Sequence, residues 1–154
     1  MKSLRESLLD DDLVENTDKL IKDEINSFLK ENFKGASSCK ISRTPNKDGK
    51  YEVSSTNDIK VKNQKITSLT NGMFIWETVD GDFICEGCYF LKTLKGAPKE
   101  VGKTFYCSYC ESLESLEGAP KEVGEYFDCH HCKVKFTKDD IRKVSNVKRG
   151  IICI

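Results

Sequence analysis

The sequence predicts an α+β protein. Its body is a short solenoid of about four rungs of parallel strands, with a helical N-terminal cap and a helix-plus-strand C-terminal cap. Three observations carry this. Residues 94–107 read LKGAPKEVGKTFYC, and 22 residues later the chain reads LEGAPKEVGEYFDC. A return this close marks one small unit stacked on itself. Before the repeats, apolar residues recur at helical spacing. After them, a helix-starting signature and a short apolar strand supply the end that a stacked array needs.

Residues 1–47 form the N-terminal cap region and loop. Leu4, Leu8, Leu9, Leu13 and Val14 share one face of a first helix. Leu20, Ile21, Ile25, Phe28, Leu29 and Phe33 make the stronger stripe of a second. Thr17 is placed to cap the second helix and Gly35 to end it. The stripe must bury itself, and the open end of the array is its nearest partner. Residues 34–50 read as loop, with a turn at Pro45, Asn46, Asp48 and Gly49.

Residues 48–136 hold the array. Tyr51-Glu-Val53 alternates like a strand. The rungs start near Ile59, Phe83, Phe105 and Phe127, the last three at a spacing of 22 residues. The first is degenerate, and a long connection with Phe74, Trp76 and Val79 separates it from the second. Trp76 is expected in the core. Residues 137–154 form the C-terminal cap. Thr137-Lys-Asp-Asp140 resembles a capping box that starts a helix through Val144, and Gly150–Ile154 reads as a closing strand.

Phe105, Cys107, Cys110, Leu113 and Leu116 fill the slots of the leucine-rich-repeat signature, as do Phe83, Cys85, Cys88, Leu91 and Leu94, and Phe127, Cys129 and Cys132. In a strand, Phe105 and Cys107 point to one face and both enter the core. The second cysteine of each pair sits where the chain turns, where a small side chain can satisfy backbone groups. Gly-Ala-Pro builds the return, and Val101 or Val123 points inward. The phrase LESLEGAPKEVG resembles the repeat of uncharacterised tailed-phage and other viral proteins of leucine-rich-repeat type. The resemblance covers residues 48–154 and takes in Asp48–Val53, Asp58–Val61 and the segment from Phe136 to Ile152. It implies the leucine-rich-repeat solenoid and a phage origin. It implies no settled activity.

Six of the eight cysteines form three Cys-x-x-Cys pairs. Cys85, Cys88, Cys107 and Cys110 have zinc-ribbon spacing, so a structural zinc is one reading. Buried core thiols are the other, and three features favour them. The repeat slots already account for the cysteines. The first rung has Val61 and Gln64 in those slots. The two cysteines of a pair serve different slots, one in the core and one in the turn. His130 and His131 are adjacent, and in a strand they would face opposite ways. No cofactor is implied.

Acidic and basic residues balance at 25 each, but not locally. Residues 1–33 carry nine acids and five bases, while residues 133–150 carry seven bases and two acids. No apolar run approaches the roughly 18 residues that span a membrane, and the acidic start is unlike a signal peptide. Cytoplasmic residence, in a host cell if the chain is phage-encoded, is therefore the expectation, and reduced cysteines with it. No phosphate loop, nucleophile elbow or metalloprotease motif occurs, so the chain is read as no enzyme.

Function is expected on the outward strand positions of the array, which have no packing duty. Lys60, Lys62, Ile84, Tyr106, Tyr109, His130 and His131 form the candidate partner-binding set there. Tyrosine is enriched at interfaces because it buries much area with few rotatable bonds. The reading is a non-catalytic protein-binding module. With the phage resemblance, the partner becomes a host protein and the activity an inhibition of a defence system, as anti-CRISPR proteins perform. The alternative is a zinc-stabilised nucleic-acid-binding module using the Cys-x-x-Cys pairs and the basic tail, although the neutral net charge lacks a typical basic footprint. No membrane role is expected.

Overall fold

A computed structural model describes residues 4–154, with side chains from residue 10 onward. One helix, α1 (Leu4–Asn32), replaces the two expected. No glycine or proline interrupts residues 4–32. Thr17 does not cap; its hydroxyl donates to the carbonyl of Leu13 at 2.9 Å, the back-bond open to threonine inside a helix. Gly35 lies three residues beyond the helix end, with φ 87°. The side chains of Leu4, Leu8 and Leu9 lie outside the described residues. Leu13, Val14 and Leu20, expected on apolar faces, are exposed. The C-terminal half of the helix does cover the array: Ile25 and Leu29 are buried, and Phe33, expected on the helix, is buried just past its end.

The strands that follow are β1 (Phe33–Lys34), β2 (Cys39–Ile41), β3 (Tyr51–Ser55), β4 (Ile59–Val61), β5 (Phe74–Val79) and β6 (Phe83–Ile84). Next come β7 (Glu100–Val101), β8 (Phe105–Tyr106), β9 (Glu122–Val123) and β10 (Tyr126–Asp128). Helix α2 (Lys138–Val144), β11 (Asn146–Val147) and β12 (Gly150–Ile152) complete the chain.

From β3 onward the chain alternates between two six-stranded sheets, of order β1-β4-β6-β8-β10-β12 and β11-β9-β7-β5-β3-β2. The fold is a β-solenoid of about four turns. Within it the stacked strands are parallel, and only β1 and β2, at the N-terminal end, join antiparallel. In the first sheet Ile59, Phe83, Phe105, Phe127 and Ile151 stand in one register. The four expected rung starts and the closing strand are therefore where the periodicity placed them. The second sheet was legible only in Tyr51–Val53 and in the inward valines. Its longest strand, β5, occupies the stretch read as a connection, and β2 lies in the stretch read as loop.

The core runs between the sheets as a chain of aromatic contacts. Phe83 stacks on Phe105 at 5.9 Å, and Phe105 meets Phe127 at 5.1 Å. At the N-terminal end Trp76 touches Phe33, Phe74 and Phe83, while its indole N–H donates to the carbonyl of Leu69 at 3.0 Å. Each such ring contributes about 1.5–3 kcal/mol by leaving water. The second sheet supplies Val79, Val101 and Val123, stacked in register and buried.

The Gly-Ala-Pro return needs its glycine. Gly118 has φ 86°, and a Cβ there would stand 2.4 Å from the Cα of Lys95 in the preceding turn. At the C-terminal end the capping box forms. Thr137 Oγ1 accepts from the amide of Asp140 at 3.1 Å, and the Asp140 carboxylate accepts from the amide of Thr137 at 2.8 Å. The amide of Thr137, and then its hydroxyl, donate to the Asp140 carboxylate and hold that carboxyl below its ordinary pKa.

Candidate functional site

The outward positions of the first sheet form columns along the stack. Lys60, Ile84, Tyr106 and Asp128 make one column by strand register. The pairing continues past the strand ends. The amide of Gly87 donates to the carbonyl of Ser108 at 2.9 Å, and that of Tyr109 to His130 at 3.0 Å. The 22-residue period then sets Glu86, Ser108 and His130 in a second column, and Gly87, Tyr109 and His131 in a third.

The third column has unusual backbone. Tyr109 and His131 are the two non-glycine residues with positive φ among the described residues, at 56° and 55°. Gly87 takes the same conformation, with φ 69°. The left-handed region disfavours ordinary side chains, so its use at two bulky residues in one column is a local cost. The turn sets three rings against one another. Tyr109 meets the rings of His130 and His131 edge-on, each at 4.9 Å, and the two imidazoles lie 5.1 Å apart. The expectation that the histidines face opposite ways is thus overturned: β10 ends at Asp128, and the left-handed turn at His131 brings its ring back beside its neighbour.

Two residues at outward positions of these columns are nonetheless buried. Ser108 is 1% exposed and Asp128 is 6% exposed. The Asp128 carboxylate lies in a short contact with Nδ1 of His130, leaving Nε2 as the free ring nitrogen. The carboxylate therefore orients the imidazole from behind. Of the expected binding residues, Tyr109, His130 and His131 form this cluster. Tyr106 and Ile84 lie half-buried in the first column, and Lys60 and Lys62 are exposed at the N-terminal end of the face. Tyr89 and Phe90, 43% and 56% exposed, belong to the same edge and were missed. The signal was there: the next repeat has Glu111 and Ser112 at their positions.

The cysteines point inward. Cys85, Cys88, Cys107, Cys110 and Cys129 are buried, Cys132 is half-buried, and none is in a disulfide. The Cys110 thiol donates to the carbonyl of Cys85 at 3.2 Å, and the Cys132 thiol to that of Cys107 at 3.1 Å. The second cysteine of a pair thus satisfies the backbone of the rung before it, as expected of the turn slot. Burial pushes the Cys85 and Cys107 thiols up, and that of Cys129 to about 12. A thiol–thiol hydrogen bond raises Cys88 and lowers Cys110. Among the described residues no three His, Cys, Asp or Glu side chains are grouped so as to hold a metal ion.

The basic tail is partly neutralised. Lys133 pairs with Glu114 at 2.7 Å, Arg142 with Asp139 at 3.0 Å, and Arg149 with Glu125 at 3.9 Å. Among the described residues no helix is long and apolar enough to cross a membrane. The chain matches no family model, no curated protein and no solved structure.

Proposed function

We propose that the chain is a non-catalytic protein-binding module, and that it binds through the outward edge of its first sheet. The observation that carries this is the Tyr109–His130–His131 cluster, a partly exposed aromatic surface set by positive-φ backbone and by the Asp128–His130 contact. Strain concentrated on exposed rings has no stabilising role in the core, whereas a preorganised aromatic patch lowers the ordering cost of association. Tyr106, Tyr89 and Phe90 extend the patch. The ion pairs within the basic tail weigh against a phosphate-driven partner. With the leucine-rich-repeat resemblance and the phage origin it implies, the reading narrows to a phage-encoded protein that binds, and inhibits, a bacterial host protein of the defence-system kind.

The test is capture from bacterial lysate with tagged protein, with and without nuclease, followed by titration of the captured protein against variants. Partner binding is expected to survive nuclease. Tyr106→Ala with Tyr109→Ala should weaken it about tenfold, about 1.4 kcal/mol, without changing the fold. Binding that vanishes with nuclease, or that the double variant leaves unchanged, overturns the proposal.

A further inference from the structure

Next to the ring cluster, on the same face, the third column has a gap. Where later rungs carry Tyr109 and His131, this rung carries Gly87. The missing side chain leaves a groove of about 340 Å³. Gly87 is its floor, and a Cβ there would approach the side-chain amide of Gln64 at 3.3 Å and the hydroxyl of Tyr89 at 3.9 Å. Tyr89 and Tyr109 line it, together with Glu86, Glu111, Gln64 and Lys60.

The side chains of this groove have unspent polar groups. Among the described residues neither Glu86 nor Glu111 has a cation within ion-pair distance, whereas Glu77, Glu114, Glu117 and Glu125 on neighbouring turns each have one. Two carboxylates face one ammonium, that of Lys60, so the groove keeps a net negative charge. Two tyrosine rings beside two carboxylates suit a cation, because the ring faces are electron-rich and the carboxylates accept charge-assisted hydrogen bonds. A planar guanidinium suits both kinds of contact at once, since it stacks on rings and forks onto carboxylates.

We infer that the groove above Gly87 binds an arginine side chain presented by the partner protein. This rests on the protein-binding reading of the same face and names the chemistry it recognises. The groove supplies charge and aromatic walls, and the neighbouring Tyr109–His130–His131 cluster supplies the larger contact surface.

The experiment uses the full chain with labelled tyrosine rings and follows Tyr89 and Tyr109 by nuclear magnetic resonance. The probes are N-acetyl-arginine amide, its neutral isostere N-acetyl-citrulline amide, and N-acetyl-glutamate amide. The arginine probe should give saturable shifts at both rings, and the citrulline probe should bind at least about fivefold more weakly. Glu86→Gln with Glu111→Gln should abolish the difference between the two. Gly87→Asn should block the arginine probe, because asparagine tolerates positive φ while filling the hollow. Equal binding of arginine and citrulline, preference for the glutamate probe through Lys60, or unchanged arginine binding in the Gln variant would each overturn the inference. Partner capture separates it from the broader proposal. Capture that needs Tyr106 and Tyr109 but ignores Glu86 and Glu111 sinks the arginine site alone, whereas capture indifferent to the tyrosines sinks the protein-binding reading of the face.

Discussion

The two sheets of the solenoid are built by the same repeat and face solvent differently. On the second sheet the outward column stays polar, running through Thr78, Glu100, Glu122 and Asn146 in register, and Lys99-Glu100 in one turn returns as Lys121-Glu122 in the next. Lys99 pairs with Glu77 at 2.8 Å, and Asn146 donates to Glu122 at 2.9 Å. This is a solvated polar face. On the first sheet the outward column changes at every rung, from Lys60 through Ile84 and Tyr106 to Asp128. Its aromatic edge also includes the two positive-φ residues. Inside, both sheets repeat: the first carries phenylalanine and cysteine, and the second carries valine. The repeat therefore fixes what packs, and the departures from it mark the surface where chemistry differs between rungs.

The largest effect should come from the interior of the first sheet. Phe105 lies between Phe83 and Phe127 and is fully buried. Phe105→Ala should cost about 3–5 kcal/mol through lost burial and the cavity left in a stack that cannot collapse. Val101→Ala in the second sheet removes less and should cost about 2 kcal/mol. Urea unfolding measures both. Equal costs would mean that the two inner columns support the fold alike, and the contrast between the sheets would then be confined to their outer faces.

An intermediate effect should appear in alkali. Cys39, on β2 of the second sheet, is raised by burial from 9.0 to about 11, and Cys129, beside the first sheet, from 9.0 to about 12, also chiefly by burial. A raised thiol pKa means that the folded chain holds its proton more tightly than the unfolded one. The stability this brings is complete below pH 9.0 and is lost as pH rises through the folded values. Cys39→Ala removes one such group, so wild type should lose stability relative to the variant as pH climbs from 9.0 toward about 11. Parallel curves for the two proteins would show that the Cys39 thiol is not held protonated by the fold.

Much of this could be read from the sequence wherever one pattern persisted. The rung phase of the first sheet, the closing strand, the inward cysteines and the Thr137–Asp140 capping box all follow from periodicity or from local chemistry. The second sheet was harder because β2, β3 and β5 lie before the close repeat begins, and because β5 fills the long connection that interrupts the period. The single helix was missed because Thr17 can bond back to Leu13 as readily as it can cap. The ring cluster was half legible. Tyr109, His130 and His131 are picked out by their outward rung positions, but their convergence depends on a left-handed turn that neither tyrosine nor histidine announces. Gly87 does announce it. A glycine at one rung of a column is a clue that the other rungs share its backbone, even where their side chains disfavour it.

The smallest effect should come from the polar face. The Lys99–Glu77 pair spans adjacent turns, and contact with Glu77 raises the lysine above its ordinary pKa. The lysine side chain is half exposed, and an ion pair in that setting gains little over hydration. Lys99→Ala should therefore change stability by no more than about 0.5 kcal/mol and leave partner binding untouched. An alanine on the opposite sheet, at Tyr109, should do the reverse, with binding weakened and stability little changed. Running both variants through one urea melt and one titration sets the two faces against each other directly. If Lys99→Ala weakens partner binding as much as Tyr109→Ala does, recognition spreads over both sheets, and the unrepeated outer face of the first sheet loses its claim to be the site.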